Sequence, residues 1–207
     1  MTAVDESPAM DAFSEPRKVA SLLQNVRCRW GVAGGWALDL FLDRVTRDHQ
    51  DIEVAILRED QLILQEYLAL RSWSFECVHE GKLCPWRIGE TLRLPSHEIW
   101  CRAQSGPVQR LEVLLNERQG DAFVFRRDCR IVVPLANAFI GSRRGIPILA
   151  PEIVLLYKAE RPFETKEKSD FSNALDALGP ERLQWLFDSL TVAHFGHVWL
   201  ADLRKHA

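Results

Sequence analysis

Two adjacent glycines at the head of a helical segment constrain this chain more than any other feature of its sequence. Gly34 and Gly35 end a short strand-like run, and apolar residues then recur at helical spacing over residues 36–44. Glycine lets a backbone approach a ligand closely, and the free N–H groups and dipole of a helix N-terminus favour an anion. The segment therefore predicts one half of a nucleotide site.

An acidic pair follows the helix on a predicted strand. Asp51 and Glu53 alternate with Ile52, Val54 and Ile56, which is the period-two pattern of a strand with one face on the core. Two carboxylates on one face repel each other unless a cation lies between them. Mg²⁺ is the hard cation that proteins commonly hold with one or two carboxylates and substrate phosphates. We therefore expect a magnesium site here.

The remaining pattern predicts an α/β region followed by helices. We expect a helix over 16–25, a helix over 60–70, and a mostly antiparallel sheet that includes the strand of Asp51. The other predicted strands are 74–78, 97–103, 109–115, 122–125 and 130–133, and the C-terminal helices are 152–161, 166–178, 181–190 and 194–205. The expected organisation is a flexible tail over 1–15, an α/β core over 16–145 and a helical region over 146–207.

Composition narrows the classes of function. A formal net charge of −3, with no strongly basic half, makes a nucleic-acid partner a poor expectation. No apolar stretch is long enough to span a membrane, and the first residues do not resemble a secretory signal. The five cysteines are scattered without a close pair, which favours reduced thiols and a cytoplasmic location. The oligomeric state is left open.

The motif GGWALDLFLDRVTRDHQDIEVAILRED resembles the nucleotidyltransferase superfamily, and most closely the aminoglycoside 2″ and lincosamide adenylyltransferases. Further segments continue the likeness over roughly residues 25–203: HEIWCR, QRLEVLLNE, IPILAPEIVLLYKA, the K-x-x-x-D-F at 166–171 and HVWLADL. The resemblance implies an α+β fold with a polymerase-β-like core, in which a mixed sheet is flanked by helices and followed by a C-terminal helical region.

The resemblance also implies a reaction, which is transfer of AMP from Mg-ATP to a hydroxyl of a small acceptor, most often an aminoglycoside, with release of pyrophosphate. In that family a third carboxylate lies on a neighbouring strand, and the matching residue is Glu112. Leu111, Val113 and Leu115 share the opposite strand face, which independently turns Glu112 toward the acidic pair. This chain has Glu at 53 and 112, where the family usually has Asp.

The implied residue roles fall into two groups. Asp51, Glu53 and Glu112 are the candidate catalytic residues and metal ligands. The candidate nucleotide-binding residues are Gly34, Gly35, Trp36, Arg47 and His49, with Lys158 and Lys166 as weaker ones. Some of these residues have structural alternatives: His49 is equally suited to capping a turn, and the alternative for Glu112 is an ordinary exposed strand position.

Other features leave the acceptor open. Residues 51–100 hold nine acidic and five basic side chains, which suits a polycationic acceptor, whereas residues 101–150 hold eight arginines and four acids, which suits an anion. Trp100, Trp86 and Trp36 are candidates for the wall of an acceptor pocket or for core packing. The pair His194-x-x-His197 lacks a third metal ligand. A nucleotidyltransferase acting on tRNA or protein, and a non-catalytic nucleotide-binding module, are the alternative functions.

Overall fold

The computed structural model describes residues 11–206, which form a ten-stranded sheet with eight helices. The helices are α1 (Ser14–Leu23), α2 (Gly34–Leu42), α3 (Gln61–Ala69), α4 (Leu135–Ala138), α5 (Pro151–Lys158), α6 (Thr165–Leu175), α7 (Pro180–Ala193) and α8 (Leu200–His206). The strands are β1 (Trp30–Val32), β2 (Glu53–Leu57), β3 (Trp73–His79), β4 (Lys82–Pro85), β5 (Glu98–Ala103), β6 (Arg110–Gln119), β7 (Ala122–Val124), β8 (Val132–Pro134), β9 (Phe139–Gly141) and β10 (Pro147–Leu149).

The sheet is mixed, as the resemblance implied. Its main path runs β4-β3-β5-β6-β2-β1-β10-β9, and β7 and β8 extend from the far half of β6. Two neighbouring pairs are parallel, β2 with β6 and β1 with β10, and the other pairs are antiparallel. The sequence predicts a mostly antiparallel sheet that includes the strand of the acidic pair. The parallel pairing of β2 with β6 differs from this prediction, and these two strands carry Glu53 and Glu112.

The strand β2 lies in the centre of the molecule. Its residues Val54, Ala55, Ile56 and Leu57 are all buried, so both faces of the sheet are covered there. Burial of such apolar side chains contributes about 25 cal/mol per Å² of surface removed from water, which holds the register of a central strand firmly. The acidic residue that begins β2 is therefore carried by one of the most constrained elements of the fold.

Several element boundaries differ from the sequence expectation. Asp51 lies just before β2 and not within it, and β4, β9, β10 and the short α4 had no clear sequence signal. The strand β10 lies beyond the expected core boundary at residue 145, yet it pairs with β1 and β9, so the sheet extends to Leu149. The last helix begins at Leu200, because residues 194–199 form turns before it.

The N-terminal segment packs closer to the core than a flexible tail would. Residues 1–10 of the predicted tail lie outside the described residues. Phe13 is 2% exposed and lies beside Trp36, with ring centroids 6.2 Å apart, and α1 begins at Ser14. Within residues 11–206 no helix has the length and apolar character needed to cross a bilayer.

Candidate active site

A cleft of about 540 Å³ opens above the middle of the sheet, and all nine predicted site residues lie on its wall. They come from separated parts of the chain: the start of α2, the loop before β2, the strands β2 and β6, and the end of α5. They are Gly34, Gly35, Trp36, Arg47, His49, Asp51, Glu53, Glu112 and Lys158. The fold therefore brings the expected residues to one place.

The glycine pair forms the first turn of α2. Gly34 has a φ of +58°, and a Cβ at this position would overlap the carboxylate of Glu53. A Cβ on Gly35 would overlap the guanidinium of Arg47 and lie 2.6 Å from Cε1 of His49. Both positions therefore require glycine because other side chains of the site lie directly against the backbone.

Two of the three acidic residues are paired through the sheet register. Glu53 on β2 stands opposite Glu112 on the parallel strand β6, so both side chains leave the same face. Asp51 is exposed in the loop just before β2. The phase predicted for Glu112 from its apolar neighbours agrees with this register.

The environment makes negative charge unfavourable at both glutamates. Burial raises the pKa of Glu53, and the neighbouring Asp51 raises it further, against the opposing effect of Lys158. Burial also raises the pKa of Glu112 to about 8, with additional contributions from Glu53, Glu98 and Asp51. A cation entering between these groups would relieve the repulsion.

The donor chemistry fits a hard divalent cation, because carboxylate oxygens are the ligands that Mg²⁺ prefers. The side chains do not yet form a complete set of ligands: within residues 11–206, no three His, Cys, Asp or Glu groups are arranged to hold a metal ion. Binding of Mg²⁺ would therefore require the acidic side chains to turn toward a common centre, with substrate oxygens completing the coordination.

Basic residues of the site are held by two acids that the sequence did not single out as site residues. Arg47 donates from Nε and Nη2 to the two carboxylate oxygens of Asp170, at 2.9 and 3.0 Å. The Nζ of Lys158 lies 2.9 Å from both Asp170 and Glu167. The hydrogen bond to Asp170 raises the pKa of Arg47, and these acids raise the pKa of Lys158 although its burial acts in the opposite direction.

A second buried pair supports the loop that carries the acidic residues. Nε2 of His49 lies 2.6 Å from Oδ2 of Asp39, and both side chains are buried. Thr46 donates its hydroxyl to the other oxygen of Asp39, at 2.6 Å. The ring of Trp36 stacks on His49, with centroids 4.2 Å apart and planes inclined by 28°. The stacked rings of Trp36 and His49 therefore limit each other's movement in the cleft wall.

Asp39 and Asp170 could have been found from the sequence. Asp39 follows Gly35 by four residues, so it lies one turn along the same helix. Asp170 is the acidic residue of the K-x-x-x-D-F segment already noted. For Asp39 the signal is an acid within the apolar segment GGWALDLFL, because unpaired carboxylates are rarely buried. The helix of Asp170 is polar, and for that residue the signal is the motif alone.

The other candidates lie elsewhere or have other partners. Trp86 packs edge-on against Phe75, and Trp100 donates from Nε1 to Glu98 at 2.7 Å, and neither lines the cleft. Nε2 of His197 lies 2.9 Å from the carbonyl oxygen of Ala159, which accounts for it without a metal. Lys166 does line the cleft and is exposed.

Taken together, the mixed sheet, the glycine-led helix beside it and the acidic residues on two adjacent parallel strands define the nucleotidyltransferase fold. The family model for aminoglycoside-2″-adenylyltransferase matches residues 16–89, which include the glycine pair and the acidic pair. The chain thus resembles that family over the part of the fold that carries most of the site.

Solved structures extend the likeness to nearly the whole chain. The solution structure of the antibiotic-resistance factor ANT(2″)-Ia has 18% identity and a TM-score of 0.57, over 92% of this chain and 93% of that one. The crystal structure of ANT(2″)-Ia in complex with adenylyl-2″-tobramycin has 17% identity and a TM-score of 0.57, over 91% and 94%.

A third structure is more distant. The lincomycin-bound lincosamide adenylyltransferase LnuA has 16% identity and a TM-score of 0.53, over 75% of this chain and 90% of that one. At these identities the likeness establishes the shared fold. No curated protein sequence matches the chain significantly.

Proposed function

We propose that this protein transfers AMP from Mg-ATP to a hydroxyl group of a small acceptor of antibiotic type and releases pyrophosphate. The observation that carries the proposal is the register of Glu53 with Glu112 on adjacent parallel strands, beside the glycine-led start of α2. This arrangement places two acidic groups next to a backbone segment suited to a phosphate chain. The matched family and the adenylyl-tobramycin complex of a structural relative support the same reaction.

The residues of the cleft have different roles in the proposed reaction. The start of α2 at Gly34 and Gly35 would hold the triphosphate, and Arg47 and Lys158 would neutralise part of its charge. Asp51, Glu53 and Glu112 would hold Mg²⁺, which when bound would stabilise the charge that develops on the phosphate oxygens. Lys158 and Arg47 reach this place already oriented by Asp170.

The transfer step forms one bond and breaks one bond. The acceptor hydroxyl oxygen bonds to the α-phosphorus of ATP, and the bond from that phosphorus to the bridging oxygen of pyrophosphate breaks. Glu112 would accept the hydroxyl proton. Its pKa of about 8 leaves it largely protonated at neutral pH in the empty cleft, so positive charge entering with the substrate must lower this pKa before Glu112 can act as a base.

The proposed location is the cytoplasm, where ATP is available. The five cysteines support it: none of them is in a disulfide bond in the structure, and only Cys129 is exposed.

A non-catalytic nucleotide-binding module is the second candidate, and two observations favour it. The acidic residues are not yet arranged as three ligands around one centre, and two of them are Glu, whose extra methylene displaces the carboxylate by about 1.5 Å relative to Asp. Such a protein would bind nucleotide without transferring AMP.

One experiment separates the two candidates. The purified protein is incubated with Mg-ATP and with tobramycin, lincomycin and other hydroxyl compounds, and products carrying AMP are sought by mass spectrometry. Asp51→Asn should abolish any product while the protein stays folded, and the matched change Asp121→Asn, at an exposed turn outside the cleft, should leave it unchanged. Mg-dependent ATP binding without any product would favour the binding module, and equal turnover of Asp51→Asn would refute the proposed reaction.

A further inference from the structure

A single row of residues crosses one face of the sheet from the glycine pair to the strand β3. The backbone N–H of Ala33, at the entry to the glycine pair, donates to the carbonyl oxygen of Glu53 at 2.8 Å. Glu53 stands opposite Glu112 on β6. Glu112 stands opposite Trp100 on β5, and the next residue in the row is Glu76 on β3. Because residues in register share a face of the sheet, Trp100 continues the face that carries the acidic groups.

The row indicates the side from which an acceptor approaches the proposed metal site. In phosphoryl transfer the attacking and leaving oxygens lie roughly in line on opposite sides of the phosphorus. The proposed triphosphate site is at the glycine end of the row, where the backbone of Gly34 lies against the carboxylate of Glu53. The attacking hydroxyl therefore comes from the Trp100 end of the row, across Glu112.

The lysines and arginines that line the cleft are grouped around α5 and α6. Lys158 is the last residue of α5, and carboxylates of α6 bind its amino group. Arg127 donates to the carbonyl oxygen of Tyr157 at 2.8 Å, and the guanidinium of Arg126 lies 5.9 Å from the ring of Tyr157. The positive charge of the cleft is therefore concentrated beside these helices, where the proposed phosphate-binding residues lie.

Glu98 presents a carboxylate at the Trp100 end of the row. It lines the cleft, and Nε1 of Trp100 donates to its Oε1 at 2.7 Å. Within residues 11–206 Glu98 forms no ion pair with a basic side chain, whereas Glu76 lies 3.6 Å from Arg102. The tryptophan therefore holds one oxygen of Glu98 and leaves the other to accept a hydrogen bond from a ligand.

The ring of Trp100 supplies the second part of a cation site. Trp100 is half-buried and lies just outside the cleft wall, directly across from Glu112 on the neighbouring strand. The face of an indole ring attracts a cation, and the attraction is stronger where the cation is partly desolvated. An ammonium group bound here would contact a carboxylate and an aromatic face together.

We infer that Glu98 and Trp100 bind a protonated amine of the acceptor while its reacting hydroxyl lies at Glu112, and so select amine-bearing acceptors. The inference rests on the proposed function for the place of the triphosphate. It deepens that function, because it assigns acceptor recognition to two residues that take no part in the transfer itself. The excess of acidic side chains over residues 51–100 agrees with a cationic acceptor.

The first test measures binding in the presence of Mg²⁺ and α,β-methylene-ATP, which cannot transfer AMP, so the result does not depend on turnover. Isothermal titration calorimetry compares tobramycin, kanamycin and spectinomycin with their N-acetylated derivatives, which keep the hydroxyl groups and lose the positive charges. We expect at least one amine-bearing compound to bind more tightly than its acetylated derivative by about tenfold or more. Equal affinity in every pair, or no binding of any amine-bearing compound, would overturn the inference.

The second test assigns the effect to the two side chains. Glu98→Gln should weaken binding of the amine-bearing compound by about tenfold and leave its acetylated derivative unaffected. Trp100→Leu should also weaken the amine-bearing compound, and Trp100→Phe should weaken it less because it keeps an aromatic ring. Glu80→Gln removes one negative charge at an exposed position outside the cleft and should change neither affinity.

Two results of the second test would refute the assignment. An equal loss in Glu98→Gln and Glu80→Gln would show a general charge effect. A loss of affinity for α,β-methylene-ATP in Glu98→Gln as large as the loss for the amine-bearing compound would show a merely structural role.

The two proposals fail in different ways. If the amine-bearing compound binds through Glu98 but no acceptor ever receives AMP from Mg-ATP, the proposed reaction fails and the cation site remains. If AMP is transferred to an acceptor with the same kcat/KM in the wild type and in Glu98→Gln, the reaction stands and the role of Glu98 is wrong.

Discussion

The carboxylate of Glu53 lies directly against the backbone of Gly34, in the space that a Cβ would occupy. The first turn of α2 is therefore in direct contact with the side chain of the first residue of β2. A side chain added at position 34 would displace the carboxylate of Glu53. This relationship makes the glycine a test of the site as well as of the backbone.

Gly34→Ala should reduce both stability and nucleotide binding. The positive φ costs an alanine about 1 kcal/mol, and the new methyl group also displaces the Glu53 carboxylate. Gly81→Ala is the matched control, since Gly81 has a φ of +74° and open space around its Cβ position. Chemical denaturation and ATP titration should show a backbone cost in both variants and a loss of ATP binding in Gly34→Ala alone. Normal ATP affinity in Gly34→Ala would contradict the role of this contact.

Glu112→Gln should stabilise the protein, and increasingly so between pH 4.5 and about pH 8. Folding raises the pKa of this carboxyl from its ordinary value near 4.5 to about 8, so the folded state retains a proton that the unfolded state has released. Stability is therefore lost as the pH rises through this window, and the neutral amide avoids the loss. We expect a gain on the order of 2 kcal/mol at pH 8.

The pH dependence supplies the decisive comparison for Glu112. Denaturation of Glu112→Gln and of the wild type should converge near pH 4.5 and separate toward pH 8. Glu66→Gln, at an exposed position on α3, should follow the wild type throughout. A constant difference at all pH values would mean that the carboxyl is not strained in the folded protein.

Asp170→Asn should destabilise the protein by about 3 kcal/mol, because it leaves Arg47 and Lys158 without their shared partner in a buried place. Asp176→Asn, one turn and a half further along, is the control because its side chain is 86% exposed. Urea denaturation measures both. A loss of less than 1 kcal/mol in Asp170→Asn would show that the two basic side chains find other partners.

Glu53→Asp tests whether length or charge matters at the start of β2. If Glu53 is a ligand for Mg²⁺, the shorter acid keeps the charge and should retain Mg-dependent AMP transfer within about tenfold of the wild type. Glu53→Gln removes the charge and should reduce kcat by 100-fold or more, an effect of about 2.7 kcal/mol on the barrier. Steady-state kinetics over a range of Mg²⁺ concentrations distinguishes the two. Equal activity in both variants would remove Glu53 from the site.

Local patterns in the sequence were sufficient for the elements that carry the glycine pair and the acidic residues, whereas the class of fold came from the family resemblance. The glycine pair, the alternation around Asp51 and Glu53, and the apolar phase around Glu112 depend only on neighbouring residues, and they predicted the helix, the two strands and the shared face. The boundaries were less reliable, since short strands such as β9 and β10 form through their partners across the sheet.

The sequence by itself determined which residues have the chemistry of a nucleotide and metal site, because residue type and strand phase are local properties. Only the tertiary structure decided what each residue contacts. Arg47 lies 123 positions from Asp170, and no periodic pattern connects them. The same holds for Arg126, whose place beside the ring of Tyr157 at the cleft wall follows from the pairing of β6 with β7. Partners distant in sequence are selected by burial and charge in the folded chain, which act only after the sheet has formed.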